Sequence, residues 1–188
     1  MVENVAAHGT ARHRRSWPWP PAIVVATFAQ VAVRCDLDPV HADAVADLGG
    51  EAPGIPRGPF HRPGQPCLVC HDGSTAKPAM SVAGTVYAVL GNGEPIPGAT
   101  VLLTAEDGAT FLATTNAAGN FYVEQAAWQP VFPLRAAVAY GGLTSTMSTI
   151  IGRDGSCATC HVDPPSRISA GRVYLAPSRS LLPEGGTP

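Results

Sequence analysis

The sequence has few charged and few aromatic residues for its length. Of its 188 residues, 14% are charged and 6% are aromatic, and the formal net charge is −2. No run of lysine or arginine follows the first fifteen residues, so nucleic acid is not an expected partner. The shortage of aromatic side chains predicts a thin hydrophobic core, and chains of this kind often rely on a covalent or metal cross-link.

The usual sequence patterns of an enzyme are also missing. We find no serine–histidine–aspartate arrangement, no phosphate-binding glycine loop and no pair of candidate catalytic carboxylates. HADAVAD, residues 41–47, lacks the second histidine of a zinc-protease motif. The chain is therefore not expected to be an enzyme.

No apolar run is long enough to span a bilayer comfortably. The run AIVVATFAQVAV, residues 22–33, has twelve residues and follows Arg12, Arg14 and Arg15. A basic segment before a short apolar segment is typical of an export signal, and a short buried helix is the alternative. We therefore predict an export signal over 1–34, and a protein of the periplasm, the cell envelope or the exterior.

Cys35 follows this segment, where a bacterial lipoprotein carries its acylated cysteine. Arg34 departs from that pattern, because a small residue normally precedes the acylated cysteine. Residues 44–46, Ala-Val-Ala, form an alternative cleavage site. Lipidation of Cys35 is the favoured prediction and would be the only expected attachment to a membrane, and one acyl chain alone binds membranes weakly.

The segment after the signal contains one short helix and an irregular stretch. Residues 38–49 predict the helix, since Asp38 can cap it, a proline suits its first turn and Gly49 can end it. Residues 51–66 have a proline or glycine at almost every second position, which predicts extended loop. We assign 35–80 to this helix, the loop and the first of two cysteine motifs.

The remainder of the chain consists mostly of short β-rich runs separated by turn signals. The runs lie at residues 81–90, 98–105, 109–116, 119–125, 133–142, 144–152 and 171–176. Short strands at this spacing are typical of an antiparallel sandwich. The turn signals include GNGEPIPG at 91–98 and NAAGN at 116–120.

Three of these segments carry a family resemblance. VAGTV at 82–86, EPIPGATV at 94–101 and TNAAGNF at 115–121 follow the patterns V-x-G-x-V, P-x-x-G-A-x-V and T-x-x-x-G-x-F. This part of the chain, 81–151, resembles the carboxypeptidase regulatory-like, transthyretin-like module. The resemblance implies a prealbumin-like antiparallel β-sandwich that acts as a scaffold, with irregular segments before and after it.

The strongest functional signal is a cysteine motif that occurs twice. PCLVCHDG, residues 66–73, and SCATCHVD, residues 156–163, both contain C-x-x-C-H. Haem c needs two thiols for its two vinyl groups and an imidazole for its iron, and this spacing supplies all three on one turn. The sequence therefore predicts two covalent haems, attached through Cys67 and Cys70 and through Cys157 and Cys160.

Two alternatives explain the cysteines without haem. Four cysteines in two pairs could bind zinc, although residues 71–156 form a long interval for a zinc ribbon and zinc needs no histidine after each pair. Exported proteins also oxidise neighbouring thiols, so each pair could form a local disulfide.

The axial iron ligands form a separate prediction. His71 and His161 are the proximal ligands by their place in the motif, and His41 and His61 are the remaining histidines after the predicted signal. We take His41 and His61 as candidate distal ligands. Met80 and Met147 are the rival candidates.

The predicted function is that of an exported dihaem c-type cytochrome that transfers electrons to and from other redox proteins of the cell envelope. Its alternatives are a haem-based sensor with an open iron position and a haem-free structural or adhesion module. The second haem segment, a final strand and a tail make up 152–188. If the strands next to the two motifs pair antiparallel, both haems lie at one end of the sandwich.

Overall fold

The computed structural model describes residues 38–51, 53–89, 91, 93–177 and 181. The chain divides into two units, residues 1–39 and 40–188, and nearly all of the described residues belong to the second. The predicted signal at 1–34 and the predicted lipidation at Cys35 lie outside the described residues. Within the described ranges, no helix is both long and apolar enough to cross a membrane.

A short helix opens the described chain, as predicted. Helix α1 spans Pro39–Asp47, and Gly49 follows it with a φ of 67°. None of the residues of α1 is buried. The side chain of His41 lies against that of Thr75, and just after the helix the carbonyl group of Leu48 accepts a hydrogen bond from Arg62.

The described residues form seven strands, one in each β-rich run of the sequence. They are β1 (Met80–Val89), β2 (Thr100–Thr104), β3 (Thr110–Thr114), β4 (Asn120–Glu124), β5 (Arg135–Tyr140), β6 (Leu143–Thr146) and β7 (Val173–Ala176). The turns between them match the turn signals. Gly98 and Gly119 have φ values of 75° and 71°, a conformation that favours glycine.

The strands form two sheets, in the orders β4-β1-β7 and β3-β2-β5-β6. All pairs are antiparallel except β1 and β7, which are parallel. Both sheets contribute to one hydrophobic core, whose most buried side chains include Val82, Val86, Val101, Leu103 and Val123. The prediction of a mainly β sandwich with one short helix is therefore confirmed.

One expectation about topology is wrong. The strands next to the two motifs, β1 and β6, are not paired: β1 pairs with β4 and β7, and β6 pairs with β5 in the other sheet. Strand order depends on contacts between distant segments, which the local pattern of each run does not encode.

Strand β1 is the middle of its sheet and is buried along nearly its whole length. The irregular segment before the first motif covers part of β1. The backbone N–H of Gly64 donates to the Thr85 hydroxyl (2.8 Å), and Asn120 donates to the carbonyl oxygens of Pro59 and His61. These bonds hold the predicted loop against β1 and β4.

Candidate functional site

The first C-x-x-C-H motif forms a single tight turn. Residues Cys67–Val69 are a 3₁₀ helix. The carbonyl oxygen of Cys67 accepts hydrogen bonds from the backbone N–H groups of Cys70 (3.2 Å) and His71 (2.9 Å). Both cysteines and the histidine are therefore fixed on one turn of chain.

The second motif has the same backbone geometry. Residues Cys157–Thr159 form a 3₁₀ helix, and the carbonyl oxygen of Cys157 accepts from the N–H groups of Cys160 (3.2 Å) and His161 (2.9 Å). The filler residues differ between the two motifs, so the shared hydrogen bonds follow from the C-x-x-C-H spacing rather than from identical sequence.

Both motif histidines are held in the same way by a returning loop. Nδ1 of His71 lies 2.9 Å from the carbonyl oxygen of Pro78, and Nδ1 of His161 lies 2.8 Å from that of Gly171. Because a carbonyl oxygen only accepts, Nδ1 must carry the hydrogen in both rings, which leaves the Nε2 lone pair for a metal. Backbone carbonyls leave no sequence signal, so this arrangement was not predicted.

The first cysteine of each motif has a sheltered sulfur atom, whereas Cys160 is exposed. Burial raises the pKa of the Cys67 thiol, and burial with weaker effects from Cys67 and Asp154 raises the pKa of Cys157 to about 12. All four motif cysteines are unpaired. Burial of this kind disfavours a thiolate and is compatible with an uncharged sulfur, either a thiol or a thioether.

Cys157 also packs closely against β1. A Cβ atom added to Gly84 would lie 2.8 Å from the Cβ and 2.9 Å from the Sγ of Cys157, and 2.9 Å from the ring of Phe121. Gly84 is the glycine of the V-x-G-x-V pattern. Its missing side chain makes room for the first cysteine of the second motif.

The two motifs approach the same end of β1. The backbone N–H of Met80 donates to the carbonyl oxygen of His71 (2.9 Å), and that of Ala83 donates to Gly155 (3.0 Å). Leu68, inside the first motif, and Gly155, just before the second, line one open cleft of about 330 Å³. The motifs are therefore neighbours, although β1 and β6 do not pair.

Comparisons with protein-family models, curated proteins and solved structures find no match for this chain. Its function must therefore be argued from its own residues. Across the described ranges, no group of three or more His, Cys, Asp or Glu side chains is arranged to hold a metal ion. A haem iron takes four ligands from its porphyrin and needs only axial ligands from the protein.

The candidate distal histidines both contact the neighbourhood of the first motif. The rings of His61 and His71 have centroids 6.0 Å apart and planes at 79°. Nδ1 of His61 lies 3.3 Å from a carboxylate oxygen of Glu51. Nε2 of His41 lies 2.7 Å from the hydroxyl of Thr75, in the loop after His71.

Two aspartates, Asp72 and Asp163, closely follow the motif histidines and have partners of their own. Asp72 accepts hydrogen bonds from Ser74 and Thr75, which lower its pKa to about 2. Asp163 lies 3.4 Å from the guanidinium of Arg172. Nδ1 of each motif histidine bonds to a backbone carbonyl and not to one of these carboxylates.

The two methionines differ in their surroundings. Met80 is buried at the start of β1, and Met147 is half-buried just after β6, where its N–H donates to the carbonyl oxygen of Ala136.

Glu51 and Arg62 belong to no sequence pattern by which they could have been predicted as site residues. They meet at His61 only because the irregular segment folds back on itself.

Proposed function

We propose that this chain is an exported dihaem c-type cytochrome that transfers electrons. One haem is attached to Cys67 and Cys70, with His71 as its proximal ligand. The other is attached to Cys157 and Cys160, with His161 as its proximal ligand. His41 and His61 are the candidate distal ligands, with Met80 and Met147 as their rivals.

One observation carries this proposal: two separate motifs adopt the same turn and both present an imidazole with a free Nε2. His71 and His161 each have Nδ1 committed to a carbonyl oxygen, at 2.9 and 2.8 Å. A hydrogen bond at the second ring nitrogen is the usual way in which a ligand histidine is oriented. The donor set of two thiols and one imidazole on each turn fits haem c.

The bound group would supply one-electron chemistry at its iron. The protein would supply attachment and orientation. The loops that end at Pro78 and Gly171 fix the two imidazoles, and Gly84 leaves space for Cys157 against the sheet. Both motifs contact one end of β1, so the residues that would hold the two haems are neighbours.

The alternatives without haem are less well supported by the same residues. Zinc needs no histidine after each cysteine pair, so it gives no role to the shared orientation of His71 and His161. A local disulfide would use the cysteines but gives no role to the shared orientation of His71 and His161. A thioether sulfur carries no charge, so burial does not oppose it.

The sandwich is proposed to be a prealbumin-like, transthyretin-like module. Support comes from the resemblance of 82–86, 94–101 and 115–121 and from the positive φ values of Gly98 and Gly119 at the turns. In this proposal the module is a scaffold for the two haems.

The site of action is proposed to be the cell envelope. Covalent attachment of haem to C-x-x-C-H motifs is expected outside the cytoplasm, in agreement with the predicted export signal over 1–34. The partners would then be other redox proteins of the envelope. Any membrane attachment would be through the candidate lipid on Cys35, and nucleic acid is not an expected partner at a net charge of −2.

A haem-based sensor is the second candidate. Both candidate distal histidines contact residues at or near the first motif: His41 contacts Thr75, and His61 contacts His71. An iron held by His161 alone would be open to a small ligand. Binding of carbon monoxide to the reduced protein at one haem per chain would favour this candidate, and its absence at both haems would favour electron transfer.

The test is expression with the haem-maturation machinery, followed by a pyridine-haemochrome count and intact mass. We expect two haems per chain, and one each for Cys67→Ala/Cys70→Ala and Cys157→Ala/Cys160→Ala. Cys35→Ala is the matched control, since it removes a cysteine outside both motifs and should keep two haems. A protein without haem would reject the proposal, and a zinc analysis and a thiol count would then separate a metal site from a plain structural module.

A further inference from the structure

The rings of His61 and His71 lie at a separation suited to a shared metal. Two imidazoles that bind one metal ion from opposite sides, at about 2 Å per bond, have centroids roughly 6 Å apart. The observed separation is 6.0 Å, and the two rings are nearly perpendicular at 79°. Neither ring is fully exposed, so the pair lies in a sheltered part of the surface.

Each of these two rings has its Nδ1 in a hydrogen bond. Nδ1 of His71 contacts the carbonyl oxygen of Pro78, and Nδ1 of His61 contacts Oε1 of Glu51 at 3.3 Å. An ionised carboxylate only accepts, so Nδ1 of His61 carries the hydrogen and Nε2 has the free lone pair. In both rings Nε2 is thus the nitrogen that is available to a ligand.

Glu51 is itself fixed by Arg62. Nε of Arg62 donates to the same Oε1 atom at 3.1 Å, and its two terminal nitrogens donate to Leu48, Gly49 and Gln65. The guanidinium group therefore joins the end of α1 to the segment that carries His61. A carboxylate held in this way restricts rotation of the imidazole that it accepts from.

The backbone at Arg62 has an unusual conformation. Its φ is 51°, and among the described residues it is the one non-glycine residue with a positive φ. In this conformation the adjacent side chains of His61 and Arg62 reach the same carboxylate oxygen. Backbone of this kind occurs most often at functional sites, where surrounding contacts hold it in place.

We infer that Nε2 of His61 is the second axial ligand of the haem attached to Cys67 and Cys70, and that Glu51 is the residue that positions it. This inference rests on the proposed function. Glu51 acts through His61 and does not touch the haem iron. Its negative charge also makes the His61 imidazole a stronger donor, which stabilises the ferric state and lowers the reduction potential of this haem.

The experiment compares His61→Ala with His41→Ala in the dihaem protein. We expect His61→Ala to convert one of the two haems from low-spin to high-spin in electron paramagnetic resonance and visible spectra, and added imidazole to restore it. His41→Ala removes the other candidate distal ligand and should not convert the haem attached to Cys67 and Cys70, which the Cys157→Ala/Cys160→Ala background reports alone. Arg57→Ala truncates an exposed side chain in the same segment as His61 and is the control that should leave both spectra unchanged. Two low-spin haems in His61→Ala would overturn the inference.

The role of Glu51 is tested by Glu51→Gln, with Glu106→Gln as the control. Glu106 is an exposed carboxylate in the turn after β2, so its loss changes the net charge equally. We expect the potential of one haem to rise in Glu51→Gln and neither potential to change in Glu106→Gln. Equal potentials in Glu51→Gln and the original protein would reject the positioning role.

The two proposals fail in different ways. If the unaltered protein contains no haem by pyridine haemochrome, the proposed function is wrong. If it contains two haems but His61→Ala keeps both of them low-spin, the proposed function stands and the ligand assignment is wrong.

A second variant is needed in case Glu51→Gln folds poorly. Glu51→Asp keeps the charge on a shorter side chain, and a change in the ratio of low-spin to high-spin haem reports the displaced His61.

Discussion

Cys157 and Gly84 are in direct contact, although they are far apart in sequence. A Cβ atom at position 84 would lie 2.8 Å from the Cβ of Cys157, closer than such atoms pack in proteins. The second cysteine motif and the central strand β1 are therefore matched in shape. Any residue larger than glycine at this position must displace one of them.

The first prediction follows from this contact. Gly84→Ala should destabilise the protein by about 1–3 kcal/mol, because it overpacks the space between β1 and Cys157. It should also reduce haem attachment at the second motif and not at the first. Urea unfolding and the haem count of the two motifs measure these effects.

Gly152→Ala is the control for that substitution. A Cβ atom there has no neighbour within 4 Å, and the residue does not have a positive φ. Its unfolding free energy should be close to that of the unaltered protein. An equal loss of stability in both variants would show that the contact with Cys157 is not the cause.

A second prediction concerns the turn before β4. At Gly119, with φ 71°, an added Cβ atom would be 2.8 Å from the Cβ of Pro95 and would also collide with the carbonyl oxygen of Val86. At Gly108, with φ 84°, it would meet nothing within 4 Å. Gly108→Ala should cost about 1–2 kcal/mol from backbone conformation alone, and Gly119→Ala clearly more, because overpacking adds to it.

Thermal or urea unfolding of the two variants gives the comparison. The difference between them isolates the collision, since both residues need a positive φ. Similar losses of stability would mean that the turn at Gly119 can move away from Pro95.

The third prediction concerns the bonds that hold His61 in place. Asn120 accepts from the buried hydroxyl of Thr85 at 2.7 Å and donates to the carbonyl oxygen of His61 at 3.0 Å. Asn120→Asp keeps the acceptor but removes the donor and directs a carboxylate at that carbonyl oxygen. We expect a loss of about 1–3 kcal/mol in the unfolding free energy.

Asn120→Ala removes both the acceptor for Thr85 and the donor to His61, and it is the comparison for Asn120→Asp. If the donor to His61 is the important group, the aspartate variant should be no more stable than the alanine variant. An aspartate variant as stable as the unaltered protein would contradict this account of the segment.

The fourth prediction is a pH dependence from Tyr87. Burial raises the pKa of its phenol above the ordinary value of 10.0, and the Arg172 guanidinium above the ring opposes this only in part. Above pH 10.0 the unfolded chain loses this proton before the folded chain does. The contribution of Tyr87 to stability is therefore complete below pH 10.0 and is lost as the pH rises through the folded-state pKa.

Tyr87→Phe should remove this part of the pH dependence. The measurement is the unfolding free energy of both proteins from neutral pH to above pH 10.0. The difference between them should change only in the alkaline range. A constant difference at all pH values would indicate that the phenol titrates equally in both states.

The sequence predicted the elements of the fold better than their arrangement. Each β-rich run became a strand, because alternation and turn residues act locally, and Gly98 and Gly119 adopt a positive φ within two of the predicted turns. The parallel pairing of β7 with β1 could not be predicted, because it joins segments that are far apart in the chain. Only the first three residues of the run at 144–152 are in a strand, as part of β6 (Leu143–Thr146).

In the candidate site, too, local features could be predicted and long-range contacts could not. The C-x-x-C-H spacing is local, so the sequence was sufficient to identify the cysteines and histidines as one unit. The carbonyl groups of Pro78 and Gly171, the glycine opposite Cys157 and the Glu51–Arg62 pair depend on chain segments that meet only after folding. Backbone atoms and single polar residues carry no repeated pattern by which they could be recognised.

The position of β7 has a consequence for the history of the chain. This strand comes after the second motif, yet it forms an edge of the sheet that β1 centres, and Leu175 and Ala176 complete the core. A shorter ancestor or a fragment that ended before Cys157 would lose a sheet edge together with its second cysteine pair. Loss of that motif by truncation is therefore opposed by folding itself, because the same truncation removes a strand of the core.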